Sequence, residues 1–274
     1  MIEKLIIEKS KDFEQTLREL FDKKKTKYPP SLFHAMEYAV FSGGKRIRPI
    51  LMWLSADFLG IKWDKVKDFA VALELIHTYS LIHDDLPCMD DDDFRRGQPS
   101  CHKKYGEAMA VLAGDALLNL AYETVLEALR DDNKLYASAI FLAKCAGAEG
   151  MIGGQAQDIL MQDPTEEDIL NIYKKKTAEL IKAAVVTPCY LHKNEPVYDD
   201  LNLYGEKLGI IFQLTDDILD QKQNEVSYLK KTNRQKTIQK INDLNNEIKD
   251  TFKKYGEKAH YLIKFADYIC QRNH

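Results

Sequence analysis

The chain contains few of the residues that interrupt helices. Its 274 residues include 13 glycines and 8 prolines, below the roughly 7% and 5% of an average protein. Glycine and proline supply the tight turns on which all-β folds depend. Sustained alternation of apolar and polar residues, the pattern of a half-buried strand, is also missing. The composition therefore favours helices.

Cysteines and long apolar runs are equally scarce. The five cysteines are scattered, odd in number and without a C-x-x-C pair, so neither a disulfide framework nor a thiolate metal site is expected. The first residues, MIEKLIIEKSKDFE, mix charges of both signs, unlike a signal peptide. No run approaches 18 uncharged apolar residues. The sequence predicts a cytoplasmic protein with no membrane span.

An overall excess of positive charge is missing too. The 39 basic residues stand against 43 acidic ones, for a net charge of −4, which offers no general case for binding nucleic acid. Residues 221–274 carry 12 Lys and Arg against 6 acidic residues, but no aromatic residues alternate with these lysines as a base-stacking surface requires. We expect no nucleic-acid partner and a more acidic, cation-binding body.

No linker, repeat or low-complexity tract divides the chain, so the sequence predicts one domain, residues 1–274, of consecutive helices. Residues 69–83 are apolar on all sides, as in a buried central helix. Another helix is predicted to begin with Asp163 as its N-cap and Pro164 at its first position. Residues 238–252 form an amphipathic pattern that ends near Gly256.

Two acidic motifs carry the strongest chemical signal. HDDLPCMDDDDFRRG at residues 83–97 contains six aspartates within ten residues, and GIIFQLTDDILD at 209–220 places three in an apolar run. On a helix, Asp216 and Asp220 lie about 40° apart on one face. Asp84 and Asp90 can serve one ion only if the chain turns back between them, which Pro87 allows. Oxygen ligands of this kind select Mg²⁺.

Three basic clusters accompany the acidic motifs: GGKRIR at residues 43–48, the arginine pair at 95–96, and KKKT at 174–177. Mg²⁺ held by few carboxylates usually completes its shell with water and substrate phosphates. Arginine and lysine are the side chains that bind phosphate oxygens. The combination predicts a substrate that carries phosphate groups.

These motifs, in this order and spacing, resemble those of the trans-isoprenyl diphosphate synthases, particularly the bacterial farnesyl diphosphate synthases. The segments that carry the resemblance are FSGGKRIRPIL, ELIHTYSLIHDDLPCMDDDDFRRGQPSCHKKYGEAMAVLAGDALL, YKKKTAEL and GIIFQLTDDILD. The resemblance implies an all-α, single-domain bundle of mostly antiparallel helices around a central cavity, usually a homodimer. It also implies Mg²⁺-dependent condensation of an allylic diphosphate with isopentenyl diphosphate, with Mn²⁺ as a substitute metal.

The resemblance also implies roles for individual residues. The metal ligands are Asp84, Asp85, Asp90, Asp216, Asp217 and Asp220. Isopentenyl diphosphate is bound by Lys45, Arg48, His77 and Arg96, and the allylic diphosphate by Arg95 and Lys176. The developing allylic cation is lined by Lys176, Thr177 and Gln213, the predicted catalytic residues.

Tyr79 and Ser80 are the predicted determinants of product length. On a helix, Tyr79 lies about 7.5 Å deeper than Asp84, where a bulky ring stops chain growth. In the family an aromatic residue here, with the Pro87-Cys88 form of the first motif, accompanies a fifteen-carbon product. The prediction is therefore farnesyl diphosphate made from dimethylallyl and geranyl diphosphate. If Tyr79 is only a core aromatic, a geranylgeranyl diphosphate synthase is favoured instead.

The sequence departs from the family after Asp220, where a lysine-bearing loop is missing and Ser227-Tyr228 resembles the Thr-Tyr that opens the next helix. Three explanations stay open: a true deletion for which Lys222, Lys230 or Lys231 substitutes, a weakened or non-catalytic diphosphate-binding subunit, or a segment left out of the sequence. Ala178 also stands where the family often has glycine.

Overall fold

The computed structural model describes residues 2–191, 195–219 and 227–271, with the backbone alone at 195 and 196. Nearly all of this part of the chain is helical. The helices are α1 (Ile2–Lys24), α2 (Pro30–Phe41), α3 (Ile47–Leu59), α4 (Lys67–Asp84), α5 (Cys101–Tyr105), α6 (Glu107–Asp131), α7 (Tyr136–Ala146), α8 (Met151–Leu160), α9 (Glu166–Tyr173), α10 (Glu179–Val186), α11 (Glu195–Leu219), α12 (Tyr228–Lys231), α13 (Arg234–Phe252) and α14 (His260–Cys270). A short antiparallel hairpin, β1 (Phe94–Arg95) and β2 (Gln98–Pro99), follows the first acidic motif. The predicted all-α class is confirmed.

The chain divides into two compact units. The N-terminal unit comprises Lys4–Ile50 and Lys67–Asn133, and the C-terminal unit comprises Met1–Glu3, Leu51–Val66 and Lys134–His274. The first acidic motif belongs to the N-terminal unit and the second to the C-terminal unit. The prediction of a single domain over residues 1–274 stays a prediction.

Helix α4 is the core of the N-terminal unit and packs mainly against α6. Every residue from Phe69 to Ile76 is buried, as expected for a helix that is apolar on all sides. The predicted central helix is therefore confirmed. The last residue of α4 is Asp84. The first acidic motif therefore begins at the carboxyl end of this buried helix.

In the C-terminal unit, α11 packs against α10, α13 and a π-helical turn, Lys174–Ala178, that joins α9 to α10. Two glycines permit close helix contacts here. A Cβ atom on Gly154 would lie 2.2 Å from the Lys176 amide nitrogen, and one on Gly209 would lie 2.3 Å from the Ala178 Cα. Because real Cβ atoms cannot approach so closely, these two contacts require glycine.

The prediction that Asp163 is the N-cap of α9 is wrong. Thr165 is the N-cap: its hydroxyl accepts a 3.2 Å hydrogen bond from the Asp168 amide, and the Asp168 carboxylate accepts a 2.9 Å bond from the Thr165 amide. This reciprocal capping box satisfies two amides that Asp163 alone could not reach. Asp163 instead adopts a positive φ of 48° and pairs with Lys231. Pro164 consequently precedes the cap.

The amphipathic helix predicted at 238–252 is confirmed as α13. Four of its predicted apolar residues, Ile241, Leu244, Ile248 and Phe252, are buried, whereas Ile238 is 42% exposed. A 3₁₀ stretch, Lys253–Ala259, follows, and within it Gly256 has φ 55°. Glycine tolerates this left-handed conformation. The regular helix ends at Phe252, before the end predicted near Gly256.

Two stretches, Glu107–Asp131 and Asn133–Leu160, are long and apolar enough by composition to cross a membrane. In both, 39% of the apolar window is buried inside the protein. Core helices of proteins without membrane spans meet the same criteria, so no clear span is indicated.

A buried ion pair holds the loop before α3 in the N-terminal unit. Arg46 is 2% exposed, and its guanidinium donates to Glu74 at 2.7 Å, to the Val40 carbonyl at 2.7 Å and to Glu14 at 3.2 Å. Removal of one partner from such a pair leaves an uncompensated buried charge.

We expect Arg46→Ala to lower the free energy of unfolding by about 3–5 kcal/mol, because Glu74 is left buried without its cation. Urea denaturation measures this loss. The control is Arg130→Ala: Arg130 pairs with Asp131 at 3.3 Å with both side chains at least 73% exposed, and its loss costs about 0–1 kcal/mol. Similar small losses in both variants would contradict the structural role of Arg46.

Candidate active site

The first acidic motif folds back on the end of α4. The Asp90 amide donates a 2.9 Å hydrogen bond to the Asp84 carbonyl, and the Asp91 amide donates to the Leu86 carbonyl at 3.1 Å. Asp84 is half-buried, and Asp90 is exposed. The predicted turn around Pro87 is thus confirmed, and it returns the backbone of Asp90 to Asp84.

Asp85, the second aspartate of this motif, is turned inward. It is 2% exposed and accepts a 2.9 Å hydrogen bond from Arg95 Nε, while Arg95 Nη2 donates to Asp92 at 3.2 Å. Burial raises the pKa of Asp85, and the bonds from Arg95 oppose that rise. Burial disfavours the charged guanidinium, but Asp85 outweighs it and raises the pKa of Arg95. The pair keeps Arg95 charged beside the motif.

The same motif contributes to a second group of potential ligands. Ligand atoms of Asp91, Asp93 and His102 all lie within 4.8 Å of one another. The Asp93 carboxylate also pairs with Lys103 at 2.7 Å, and a 3.1 Å hydrogen bond joins His102 Nδ1 to the Ser100 hydroxyl. These protein partners already compensate part of the group.

The structure brings the glycine-rich basic loop and Arg96 together. Gly43 and Gly44 have φ values of 101° and 128°, which favour glycine. A Cβ atom on Gly44 would lie 2.7 Å from the Arg96 guanidinium carbon, and Arg96 donates a hydrogen bond to the Gly43 carbonyl. The arginine therefore lies directly on the bare glycine backbone.

His77 is a neutral residue close to the arginines of this cluster. Burial lowers the pKa of His77 well below its ordinary value, and the charges of Arg48 and Arg96 lower it further. The imidazole is consequently neutral at pH 7 and can both donate and accept hydrogen bonds. All four residues predicted to bind isopentenyl diphosphate lie in the N-terminal unit. Arg48 and Arg96 act electrostatically on His77, and Lys45 is exposed on the glycine-rich loop.

Arg46 lies in the same basic motif but has a different role. Its position among residues 43–48 predicts a phosphate-binding cation. In the structure its two terminal guanidinium nitrogens donate to Glu74, Glu14 and the Val40 carbonyl. Its place in the phosphate-binding cluster was therefore predicted wrongly, because the acceptors that bury it are distant in sequence.

The low pKa of His77 makes protein stability depend on pH. The unfolded chain binds a proton at His77 below about pH 6.5, whereas the folded protein does not. Stability is therefore lost as the pH falls through that value. In urea denaturation series from pH 7.5 to 5.5, wild type should lose more stability than His77→Gln, by at most about 1.4 kcal/mol per pH unit. Parallel curves would contradict this assignment.

In the C-terminal unit, the π-helical turn presents the third basic cluster. Lys176 Nζ donates to Asp158 of α8 at 2.7 Å, and the Thr177 hydroxyl donates to Gln213 Oε1 of α11 at 2.5 Å. Such turns often occur at functional sites. The structure thus joins the predicted pair Thr177 and Gln213 directly. The bare backbone of Gly209 leaves room for Ala178, which explains how this departure from the family is accommodated.

The second acidic motif ends α11. Asp216 and Asp217 are both half-buried. Asp217 accepts hydrogen bonds from the Tyr173 hydroxyl, at 2.9 and 2.7 Å to its two oxygens, and from the Tyr228 amide at 3.0 Å. Burial raises the pKa of Asp217, and these bonds oppose the rise.

Asp220, Lys222 and the point of the proposed deletion lie outside the described residues. Of the substitute lysines, Lys231 pairs with Asp163 at 2.5 Å. The three explanations for the missing loop stay open.

Tyr79 is 5% exposed and packs edge-on against His83, with ring centroids 5.7 Å apart. Burial raises the pKa of Tyr79 to about 12, so the phenol is neutral. Its hydroxyl is buried with no hydrogen-bond partner among the described residues. The neighbouring Ser80 hydroxyl donates to the His77 carbonyl at 2.9 Å.

Sequence reasoning missed three residues that position this site: Gly154, Asp158 and Tyr173. Each contacts a predicted functional residue or its backbone. The sequence offered little signal for them, because a single glycine, aspartate or tyrosine in a helix is common. The nearest hint was the position of Tyr173, directly before the KKKT cluster.

The chain belongs to the polyprenyl synthetase family, whose model matches residues 29–256. It is 35% identical over 268 residues to the farnesyl diphosphate synthase of Micrococcus luteus, covering 90% of this chain and 92% of that protein. It is 34% identical over 268 residues to geranylgeranyl pyrophosphate synthase 4 of Arabidopsis thaliana, covering 90% and 72%. The crystal structure of a geranyltransferase from Legionella pneumophila matches with a TM-score of 0.91 at 34% identity, covering 100% and 98%.

These comparisons confirm the resemblance drawn from the motifs and the helical isoprenoid synthase fold. The relatives carry both farnesyl and geranylgeranyl names. They therefore support a prenyltransferase of the diphosphate synthase type without selecting a product length.

Proposed function

We propose that the protein condenses isopentenyl diphosphate with dimethylallyl diphosphate and then geranyl diphosphate, giving farnesyl diphosphate and pyrophosphate. The observation that carries the proposal is the cluster of Arg48, His77 and Arg96 beside the first acidic motif. Arginine side chains bind phosphate oxygens by charge-assisted hydrogen bonds, and the neutral imidazole of His77 can donate a further bond. A diphosphate offers these groups negative charge and several acceptor oxygens. Lys45 is proposed to join them from the exposed loop.

Each acidic motif, within its own unit, offers donors of the kind that bind Mg²⁺. The returning turn offers the carboxylates of Asp84 and Asp90, and α11 offers Asp216, all oxygen ligands of the kind Mg²⁺ prefers. Mn²⁺, with similar oxygen preference, is expected to substitute. Metal binding by Asp85, Asp217 and Asp220 stays a prediction. The first two accept hydrogen bonds from Arg95 and Tyr173 in this structure.

The remaining roles are those that the family resemblance implies, and the charges of the side chains support them. Arg95 and Lys176 hold the allylic diphosphate, and their cationic groups stabilise it as it leaves. When bound, Mg²⁺ neutralises the charge that grows on that leaving group. Scission of the carbon–oxygen bond produces an allylic cation, towards which Thr177, Gln213 and the Lys176 carbonyl direct oxygen dipoles. The isopentenyl double bond attacks the allylic cation to form the new carbon–carbon bond, and the resulting cation loses a proton to the released pyrophosphate.

We expect Asp84→Ala or Asp216→Ala to reduce kcat by several orders of magnitude while the circular dichroism spectrum keeps its helical form, since the lost charge acts mainly in the transition state. Incorporation of labelled isopentenyl diphosphate measures the rate. Wild type treated with a chelator should lose activity and regain it with Mg²⁺. Full activity in either variant, or indifference to the chelator, would refute the assignment. An inactive wild type would favour a non-catalytic subunit.

Farnesyl diphosphate is proposed as the product because the buried ring of Tyr79 lies five residues before Asp84 on α4. A ring about 7.5 Å along the helix from Asp84 would block a longer product chain by steric exclusion, with Ser80 beside it. The alternative product, geranylgeranyl diphosphate, is supported by the names of several relatives.

We expect Tyr79→Ala to shift the products towards geranylgeranyl diphosphate or longer chains without abolishing turnover, because only the steric obstacle is removed. Chromatography of the dephosphorylated products reports chain length. Tyr79→Phe is the matched control, since it keeps the ring and loses only the unpaired hydroxyl. An unchanged product in Tyr79→Ala would exclude Tyr79 as the floor, and a twenty-carbon wild-type product would exclude the farnesyl assignment.

A homodimer is also proposed. Helix α6 leaves Val111, Leu112 and Leu126 between 40% and 63% exposed, and exposed apolar side chains on one helix are candidates for an interaction surface. A second copy of the chain is the commonest partner for such a surface. A cytoplasmic location stays a prediction.

A further inference from the structure

Two side-chain hydrogen bonds join the segment Tyr173–Ala178 to α11 in the C-terminal unit, and we call this pair of bonds the ladder. Tyr173 pairs with Asp217, and Thr177 pairs with Gln213. The partners are four residues apart on each segment and run in opposite directions, about one helical turn in both cases. The close contact of Ala178 with Gly209 continues the same interface.

The Tyr173–Asp217 rung also holds the start of α12. The Tyr228 amide donates to Asp217 at 3.0 Å and to the Tyr173 hydroxyl oxygen at 3.1 Å. Asp217 receives further hydrogen bonds from the Ser227 side chain and the Leu229 amide. Its carboxylate thus faces several donors from the protein itself. Such charge-assisted bonds are the stronger kind.

We propose that Tyr173 and Asp217 are a pair of positioning residues, in which Asp217 holds α9, α11 and α12 in register instead of binding metal. The pair sets the relative position of Thr177 and Gln213, one turn along the ladder. This inference rests on the proposed prenyl transfer for its kinetic consequence, but its structural consequence is independent of turnover.

The first experiment compares Tyr173→Phe with a matched control. Tyr255 donates a hydrogen bond to Asp200, also on α11, so Tyr255→Phe removes a Tyr–Asp bond of the same chemistry away from the ladder. Hydrogen exchange of the intact protein should show about tenfold faster exchange at the Tyr228 and Leu229 amides in Tyr173→Phe and in Asp217→Asn. Tyr255→Phe should leave those amides unchanged. Unaltered exchange in Tyr173→Phe would overturn the anchoring role.

The second experiment separates positioning from metal binding. Calorimetry with Mg²⁺ and inorganic pyrophosphate should give Asp217→Asn an affinity within about threefold of wild type, and Asp216→Asn a loss of about tenfold or more. Equal losses in the two variants would overturn the division of roles and make Asp217 a metal ligand.

The third readout is the split between kinetic constants. Tyr173→Phe should lower kcat about tenfold with KM for both substrates and the Mg²⁺ requirement nearly unchanged, because only the alignment of Thr177 and Gln213 is lost. Tyr255→Phe should retain wild-type kcat. A rise in KM or in the Mg²⁺ requirement without a fall in kcat would overturn the proposal. If wild type fails to turn over, the proposed function fails, and the exchange measurement still decides the anchoring role.

Discussion

Two carboxylates placed side by side in the chain repel each other, and the cost rises when both lose water. Both acidic motifs meet this constraint in the same way. The second aspartate of each pair turns towards protein donors: Asp85 towards Arg95, and Asp217 towards Tyr173 and the start of α12. Those donors are therefore bound by the second aspartate of each pair rather than by the first, Asp84 or Asp216. The hairpin that carries Arg95, the end of α9 that carries Tyr173 and the start of α12 provide the hydrogen-bond donors around the two motifs.

Close backbone packing supports the same arrangement in the C-terminal unit. Gly154 lets α8 approach the π-helical turn, which brings Asp158 within hydrogen-bond reach of Lys176. Gly209 lets α11 approach the same turn, beside the Thr177–Gln213 bond. An alanine at either glycine would force these helices apart, so two absent methyl groups control the placement of a lysine and a hydroxyl.

The sequence predicted those parts of the fold that depend on neighbours along the chain. The apolar run in α4 and the turn at Pro87 are of this kind, since helical burial and proline geometry are local. The α9 cap failed because Asp163 and Thr165 are both good capping residues, and the reciprocal bond with Asp168 decides between them. Long-range partners were beyond reach: nothing local distinguishes the buried Arg46 from Arg48, because Glu74 lies 28 residues away.

The contact between Arg96 and the glycine loop has an entropic consequence. An arginine side chain free in solvent loses about 2 kcal/mol of rotamer entropy when it is fixed. Here the Gly43 carbonyl and the bare face of Gly44 already restrain the guanidinium in the protein alone. The conformational entropy of the Arg96 side chain is therefore lost during folding and not when an anion binds. More of the electrostatic attraction then contributes to the affinity for the anion. A side chain at residue 44 would reverse this order, and the arginine would have to be immobilised at each binding event.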